Sequence, residues 1–124
     1  MHRILLIDDD QDLLLGVSRL LKKNNFQVST LPGGQNIHEE IKSFNPDLII
    51  LDILLAEEDG RDICIQLKEN PATKGIKIIL YSAFSDTKDS YEIYGADGFI
   101  LKPFGGSHLI EAINFHLNSV TANS

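Results

Sequence analysis

The chain has 124 residues, 43% of them hydrophobic and 23% charged, which is the balance of a single ordinary globular domain. Its net charge of -7 argues against a basic stripe for nucleic acid and against docking on anionic lipid. One cysteine excludes an internal disulfide, and no apolar run approaches the roughly 20 residues of a membrane span, so a cytoplasmic location is expected.

Residues 4–7 form the first strand candidate. Leu13, Val17, Leu20 and Leu21 follow at helical spacing, and Asn24-Asn25 stops that helix. Phe26, Val28 and Thr30 alternate with polar residues, as in a half-exposed strand, and Pro32-Gly33-Gly34 turns the chain. Ile37, Ile41 and Phe44 predict a short helix that ends before Pro46. Residues 48–51 are a second continuous apolar run, and 60–70 read as a helix through Ile63, Cys64 and Leu67. Residues 76–80 predict a strand, 87–94 a weaker helix and 99–101 a last short strand. Leu109, Ile110, Ile113 and Leu117 mark a closing helix, and 119–124 read as a polar tail.

A strand followed by a helix, five times over, implies an α/β fold with a parallel sheet covered on both faces. The runs at 4–7, 48–51 and 77–80 are apolar at nearly every position, as central strands are, whereas 26–31 alternates and 99–101 is short, as edge strands are. The expectation is a single doubly wound, five-stranded, flavodoxin-like (βα)5 sheet of order 2-1-3-4-5. Ligands bind such sheets beyond the carboxyl ends of the strands where the order reverses, here after strands one and three.

Strand one ends in Asp8-Asp9-Asp10 with Asp12 beyond, strand three in Asp52, strand four in Ser82 and strand five in Lys102-Pro103. Taken singly, Asp10 or Asp12 reads as a helix cap and Asp52 as a turn residue. Together at one edge they read differently. Carboxylates this close repel, and a hard divalent ion such as Mg²⁺ relieves the repulsion while favouring phosphate oxygens as further ligands. A lysine and a hydroxyl beside them complete a phosphoryl-transfer set. The first turn carries acids where a dinucleotide fold needs glycines, which argues against NAD or FAD. His2, His38, His108 and His116 share no metal spacing and are expected at the surface; Cys64 is expected to be an inert core thiol.

The segments Ile4-Leu5-Leu6-Ile7-Asp8-Asp9-Asp10, Pro46-Asp47-Leu48-Ile49-Ile50-Leu51-Asp52-Ile53-Leu54, Asp59-Gly60, Ile79-Leu80-Tyr81-Ser82-Ala83 and Gly95-Ala96-Asp97-Gly98-Phe99-Ile100-Leu101-Lys102-Pro103-Phe104 resemble a response-regulator receiver domain. The resemblance implies a receiver over 3–118. It makes Asp52 the aspartate that accepts a phosphoryl group from a phosphohistidine on a sensor histidine kinase or histidine phosphotransfer protein. Asp8 and Asp9 match the acidic pair that holds Mg²⁺ (Mn²⁺ or Ca²⁺ can substitute), Asp9 directly and Asp8 partly through water. Asp52 and the backbone carbonyl of Leu54 complete the protein ligands. Ser82 matches the switch hydroxyl, Phe99 the aromatic rotamer switch and Lys102 the lysine that binds the phosphoryl oxygen. The Lys102-Pro103 bond is similar to one that is cis in the family.

The resemblance further implies an output face on the fourth helix, fifth strand and fifth helix, used for protein contact and possible phosphorylation-dependent dimerisation. It implies no nucleic acid, no membrane and no turnover beyond self-phosphorylation and slow autodephosphorylation. Leu54 and Phe84 are bulky and apolar, and are expected to shield the phosphoryl group from water. One departure is Leu54-Leu55-Ala56-Glu57-Glu58, which lacks the family's proline. It leaves the rigidity of that loop and its partner contacts open and removes no chemical group. Two other readings compete: a scaffold that is never phosphorylated, and a phosphatase of the haloacid dehalogenase type. The second wants an acid where Leu54 stands. The cognate kinase, the downstream target, and whether the chain stands alone or belongs to a larger regulator or hybrid kinase do not follow from the sequence.

Overall fold

The structure is a computed structural model that describes residues 1–102 and 105–122. Five parallel strands lie in the order β2-β1-β3-β4-β5: β1 Arg3–Ile7, β2 Gln27–Leu31, β3 Leu48–Asp52, β4 Lys77–Ser82 and β5 Gly98–Leu101. The helices are α1 Gln11–Lys23, α2 Ile37–Phe44, α3 Gly60–Glu69 and α4 Gly106–Ala122. The expected order is therefore the observed one. β1, β3 and β4 are almost wholly buried, while β2, at one edge, is exposed or half-buried along its length.

Alternate residues of each strand face opposite sides, so the sheet divides the core in two. Ile4, Leu6, Leu48, Ile50, Ile79, Tyr81 and Ile100 pack with Leu14, Val17 and Leu21 of α1 and Leu109, Ile113 and Leu117 of α4. Leu5, Ile7, Ile49, Leu51, Ile78 and Leu80 pack with Ile37 and Ile41 of α2 and Ile63, Cys64 and Leu67 of α3. Cys64 is fully buried, and burial pushes its thiol up to about 12, the inert core cysteine that was expected.

Helix ends follow local chemistry. Asp10 caps α1, its Oδ1 accepting from the Asp12 and Leu13 amides at 3.1 and 3.2 Å. Past that helix Asn25 takes a φ of 69°, and Asn45 after α2 takes 54°, left-handed positions that asparagine tolerates. Asp59 caps α3.

Three expectations are corrected. The helix predicted over 87–94 is not an α-helix; only Tyr91–Tyr94 is helical, and as a single 3-10 turn. Its bonds close over three residues, from Ile93 N to Ser90 O and from Gly95 N to Glu92 O. Thr87, Asp89 and Ser90 offer side chains that compete for the backbone, and Ile93 faces solvent rather than the core. His116 is not a surface residue: it is half-buried against Gly98, where its ring occupies the place a Cβ would take. The burial lowers its pKa. Finally, α4 continues to Ala122, into the segment expected to be a polar tail. Pro103, Phe104 and the expected cis bond lie outside the described residues, as do 123–124.

Candidate functional site

The parity of the strands brings the candidate residues together. Asp8 continues the Leu6 face of β1, Asp52 the Ile50 face of β3 and Lys102 the Ile100 face of β5, all on the side of α1 and α4. Ser82 and Phe99 belong to the opposite face, with Leu80 and the partly buried Tyr91. One carboxylate oxygen from each of Asp8, Asp9 and Asp52 lies within 4.8 Å of the others. Asp8 and Asp52 are buried, at 1% and 5% exposure, and Asp9 is exposed at the mouth.

Lys102 joins the two buried acids. Its Nζ donates to Asp8 Oδ2 at 2.9 Å and lies 3.4 Å from Asp52 Oδ2. Asp8 Oδ2 also accepts from the Tyr81 hydroxyl at 2.5 Å, and its Oδ1 accepts from the Asp10 amide at 2.9 Å. Burial alone would raise the Asp8 pKa, but these bonds from Tyr81, Asp10 and Lys102 more than offset it and hold Asp8 below the ordinary carboxylate value. Asp52 has the opposite balance. Burial and the neighbouring Asp8 charge push it up to about 6, against the pull of Lys102 and of the Leu54 amide, which donates to Asp52 Oδ1 at 3.2 Å.

The site is thus short of positive charge. One ammonium serves two buried carboxylates with a third at their edge, and a hard divalent cation with oxygen ligands fits that donor set. The approach of the chain is equally tight at Gly60, where a Cβ would collide with the Asp52 carbonyl oxygen.

Ser82 is buried, its Oγ accepting from the Phe84 amide at 3.1 Å, and its carbonyl accepts from the Lys102 amide at 2.7 Å. The site lysine is therefore held by the strand end that carries the hydroxyl. Leu54 and Phe84, the expected shield, are 53% and 58% exposed, so neither is packed down as a cover. The loop without the proline is tied in place. Leu55 and Glu58 exchange backbone bonds of 3.2 and 3.4 Å, Leu54 pairs with Asp59, and Glu58 Oε1 accepts from the Gly34 amide at 2.9 Å.

Two participants carried no role in the sequence reading. Tyr81 reaches Asp8 from β4; its signal was a phenol directly after the buried aliphatic run Ile78-Ile79-Leu80, since a buried Tyr hydroxyl needs a partner. Arg61 grips Asp59 through bonds of 2.7 to 3.1 Å and reaches Thr87 at 3.4 Å, linking the start of α3 to the segment after β4. No local pattern announces a contact between residues so far apart in the chain.

The comparisons with known proteins agree with this geometry. The sequence profile of the response regulator receiver domain matches residues 4–114. The response regulator ArlR of Staphylococcus saprophyticus is 36% identical over 115 residues, which are 91% of this chain and 51% of that one. The chain thus spans about half the length of that relative. A CheY-like receiver domain protein of Methanospirillum hungatei superimposes with a TM-score of 0.90 at 23% identity, over 100% of this chain and 99% of that one, a likeness of fold alone. The response regulator TrrA of Thermotoga maritima, solved in complex with Mg²⁺-BeF, gives a TM-score of 0.81 at 28% identity over 92% and 97% of the two chains. Receiver domains of response regulators are signalling proteins that interact with histidine kinases, and this chain belongs to the response regulator receiver domain family of two-component systems.

Proposed function

We propose that Asp52 accepts a phosphoryl group from a phosphohistidine on a sensor histidine kinase or histidine phosphotransfer protein. The observation that carries the reading is the buried Asp52 carboxylate set between Asp8 and Lys102, with Lys102 3.4 Å from its Oδ2. Asp8, Asp9, Asp52 and the Leu54 carbonyl would hold Mg²⁺, or Mn²⁺ or Ca²⁺ in its place; when bound, the ion would neutralise the phosphoryl oxygens in transfer. The complex of TrrA with Mg²⁺-BeF supports that assignment by likeness.

In the transfer, an Asp52 carboxylate oxygen attacks phosphorus, the P–N bond to the donor imidazole breaks, and its electron pair returns to the ring. Attack requires Asp52 ionised, and Lys102 and a divalent cation beside it would both favour that form. Lys102, already oriented toward Asp52, then holds a phosphoryl oxygen. The Ser82 hydroxyl, whose oxygen accepts from Phe84, has its proton left to donate to another. Movement of Ser82 inward would free space for Phe99 on the same face of the sheet, biasing a two-state equilibrium over the Tyr91–Tyr94 turn, β5 and α4. That surface is the proposed output face toward a downstream protein or a second copy of the chain.

The test is phosphotransfer from a panel of histidine kinases with Asp52→Asn as control. Label on the wild type and none on the variant supports the reading. No label from any donor, together with no binding of beryllofluoride in Mg²⁺, overturns it in favour of a scaffold that is never phosphorylated.

A further inference from the structure

Tyr81 stands on β4 directly beside Asp52 in the strand register, so the two side chains share a face. Its ring is fully buried, in the same core cluster as Leu6, Ile50, Ile100 and Leu109. From there the hydroxyl passes over the intervening β3 and donates to Asp8 Oδ2, just past the end of β1, at 2.5 Å. The same oxygen accepts from Lys102 at 2.9 Å, and the Lys102 ammonium lies 4.3 Å from the centroid of the Tyr81 ring. One side chain thus touches both Asp8 and Lys102, by two different parts of itself.

We infer that Tyr81 is a positioning residue for this site: its hydroxyl anchors Asp8, and its ring face supports Lys102. The inference rests on the reading of Asp52 as phosphoryl acceptor. Asp8 has both oxygens engaged from within the protein, Oδ1 by the Asp10 amide and Oδ2 by Tyr81 and Lys102, which sets the plane of its carboxylate. Groups behind a metal ligand fix its orientation in this way. Lys102 is a long flexible side chain whose two carboxylate partners a bound cation would share. The ring face does not compete for that cation, so it holds the ammonium whether or not the cation is present. An aliphatic residue at this position would fill the core and supply neither contact.

The two halves separate by substitution. Tyr81→Phe keeps the ring and removes the hydroxyl; Tyr81→Leu and Tyr81→Met remove both, with a branched and an unbranched side chain as alternative ways to fill the core. Calorimetric titration of the metal-free chain with Mg²⁺ reads Asp8, and beryllofluoride binding at saturating Mg²⁺ reads Lys102. Tyr81→Phe is expected to bind Mg²⁺ about tenfold more weakly than wild type and beryllofluoride nearly as well. The folded aliphatic variants are expected to lose affinity for both. A Tyr81→Phe chain whose Mg²⁺ affinity stays within about twofold of wild type overturns the anchoring of Asp8. A folded aliphatic variant that binds beryllofluoride as Tyr81→Phe does overturns the support of Lys102. A wild type with Tyr81-dependent Mg²⁺ affinity and no phosphoryl uptake overturns the acceptor reading alone.

Discussion

The Asp52 carboxylate is where residue-scale energetics and function meet. Its folded pKa, pushed up to about 6, lies above the ordinary value of 3.8. Between those values the metal-free native chain holds a proton that the unfolded chain has released, so this group destabilises the fold progressively as pH rises from about 4 to about 6. Above that window the penalty is complete, on the order of 3 kcal/mol. Asp52→Asn removes the charge but keeps the shape. It is expected to raise the melting temperature of the metal-free protein above about pH 6, with the gain shrinking toward pH 4. Thermal melts at the two ends of that range check it; equal stability at the upper end contradicts the electrostatic account. Gly60→Ala probes the backbone of the same residue. Its Cβ would meet the Asp52 carbonyl oxygen, and backbone cannot step aside as a side-chain end does, so a loss of about 3 kcal/mol or more is expected in denaturant melts.

At the scale of elements, Asp97 shows how the end of one crossover is fastened. Its Oδ2 accepts from the Ile78 amide at 2.9 Å and from Lys68 Nζ at 2.8 Å, while Lys68 also donates to the Ile76 carbonyl at 2.8 Å. The turn into β5, the start of β4 and the end of α3 are joined at one carboxylate. Asp97→Ala leaves the Ile78 amide and the Lys68 ammonium without it, and is expected to cost about 2 kcal/mol in a urea melt while leaving Mg²⁺ affinity unchanged. The strands were the legible elements, because a continuous run such as 48–51 suits only a strand covered on both faces. The segment at 87–94 was not, since its periodicity is weak and short polar side chains tipped it to a single 3-10 turn. Among the site residues, Asp8, Asp9, Asp52, Ser82 and Lys102 could be read because each ends or follows a strand and the topology gathers those ends. Tyr81 and the Glu58–Gly34 clasp could not, because they depend on packing between segments with no shared local pattern.

Over the whole molecule, the charge of -7 has an address. Asp8, Asp9, Asp10, Asp12, Asp52, Glu57, Glu58 and Asp59 are eight of the 18 acids and all lie at the carboxyl ends of β1 and β3 or in the residues that follow them before or at the start of the next helix. The remaining acids nearly balance the bases. A divalent cation that binds there binds only the folded chain, and so should stabilise it by about 2.7 kcal/mol at a hundredfold excess over its dissociation constant. Melts with and without Mg²⁺ are expected to diverge above about pH 6 and to converge below it, where a proton occupies Asp52. Stabilisation that persists unchanged at low pH would place the ion elsewhere. Among the described residues no helix is long and apolar enough to cross a membrane.

Cys64 extends the picture from stability to opening. It is the chain's sole thiol, fully enclosed against the face of the sheet that carries α2 and α3. A maleimide or disulfide reagent can therefore reach sulfur only when that layer lifts off, and the labelling rate counts those excursions directly. The native molecule carries its own clock for the separation of α3 from the sheet, readable with and without Mg²⁺ and requiring no engineered probe.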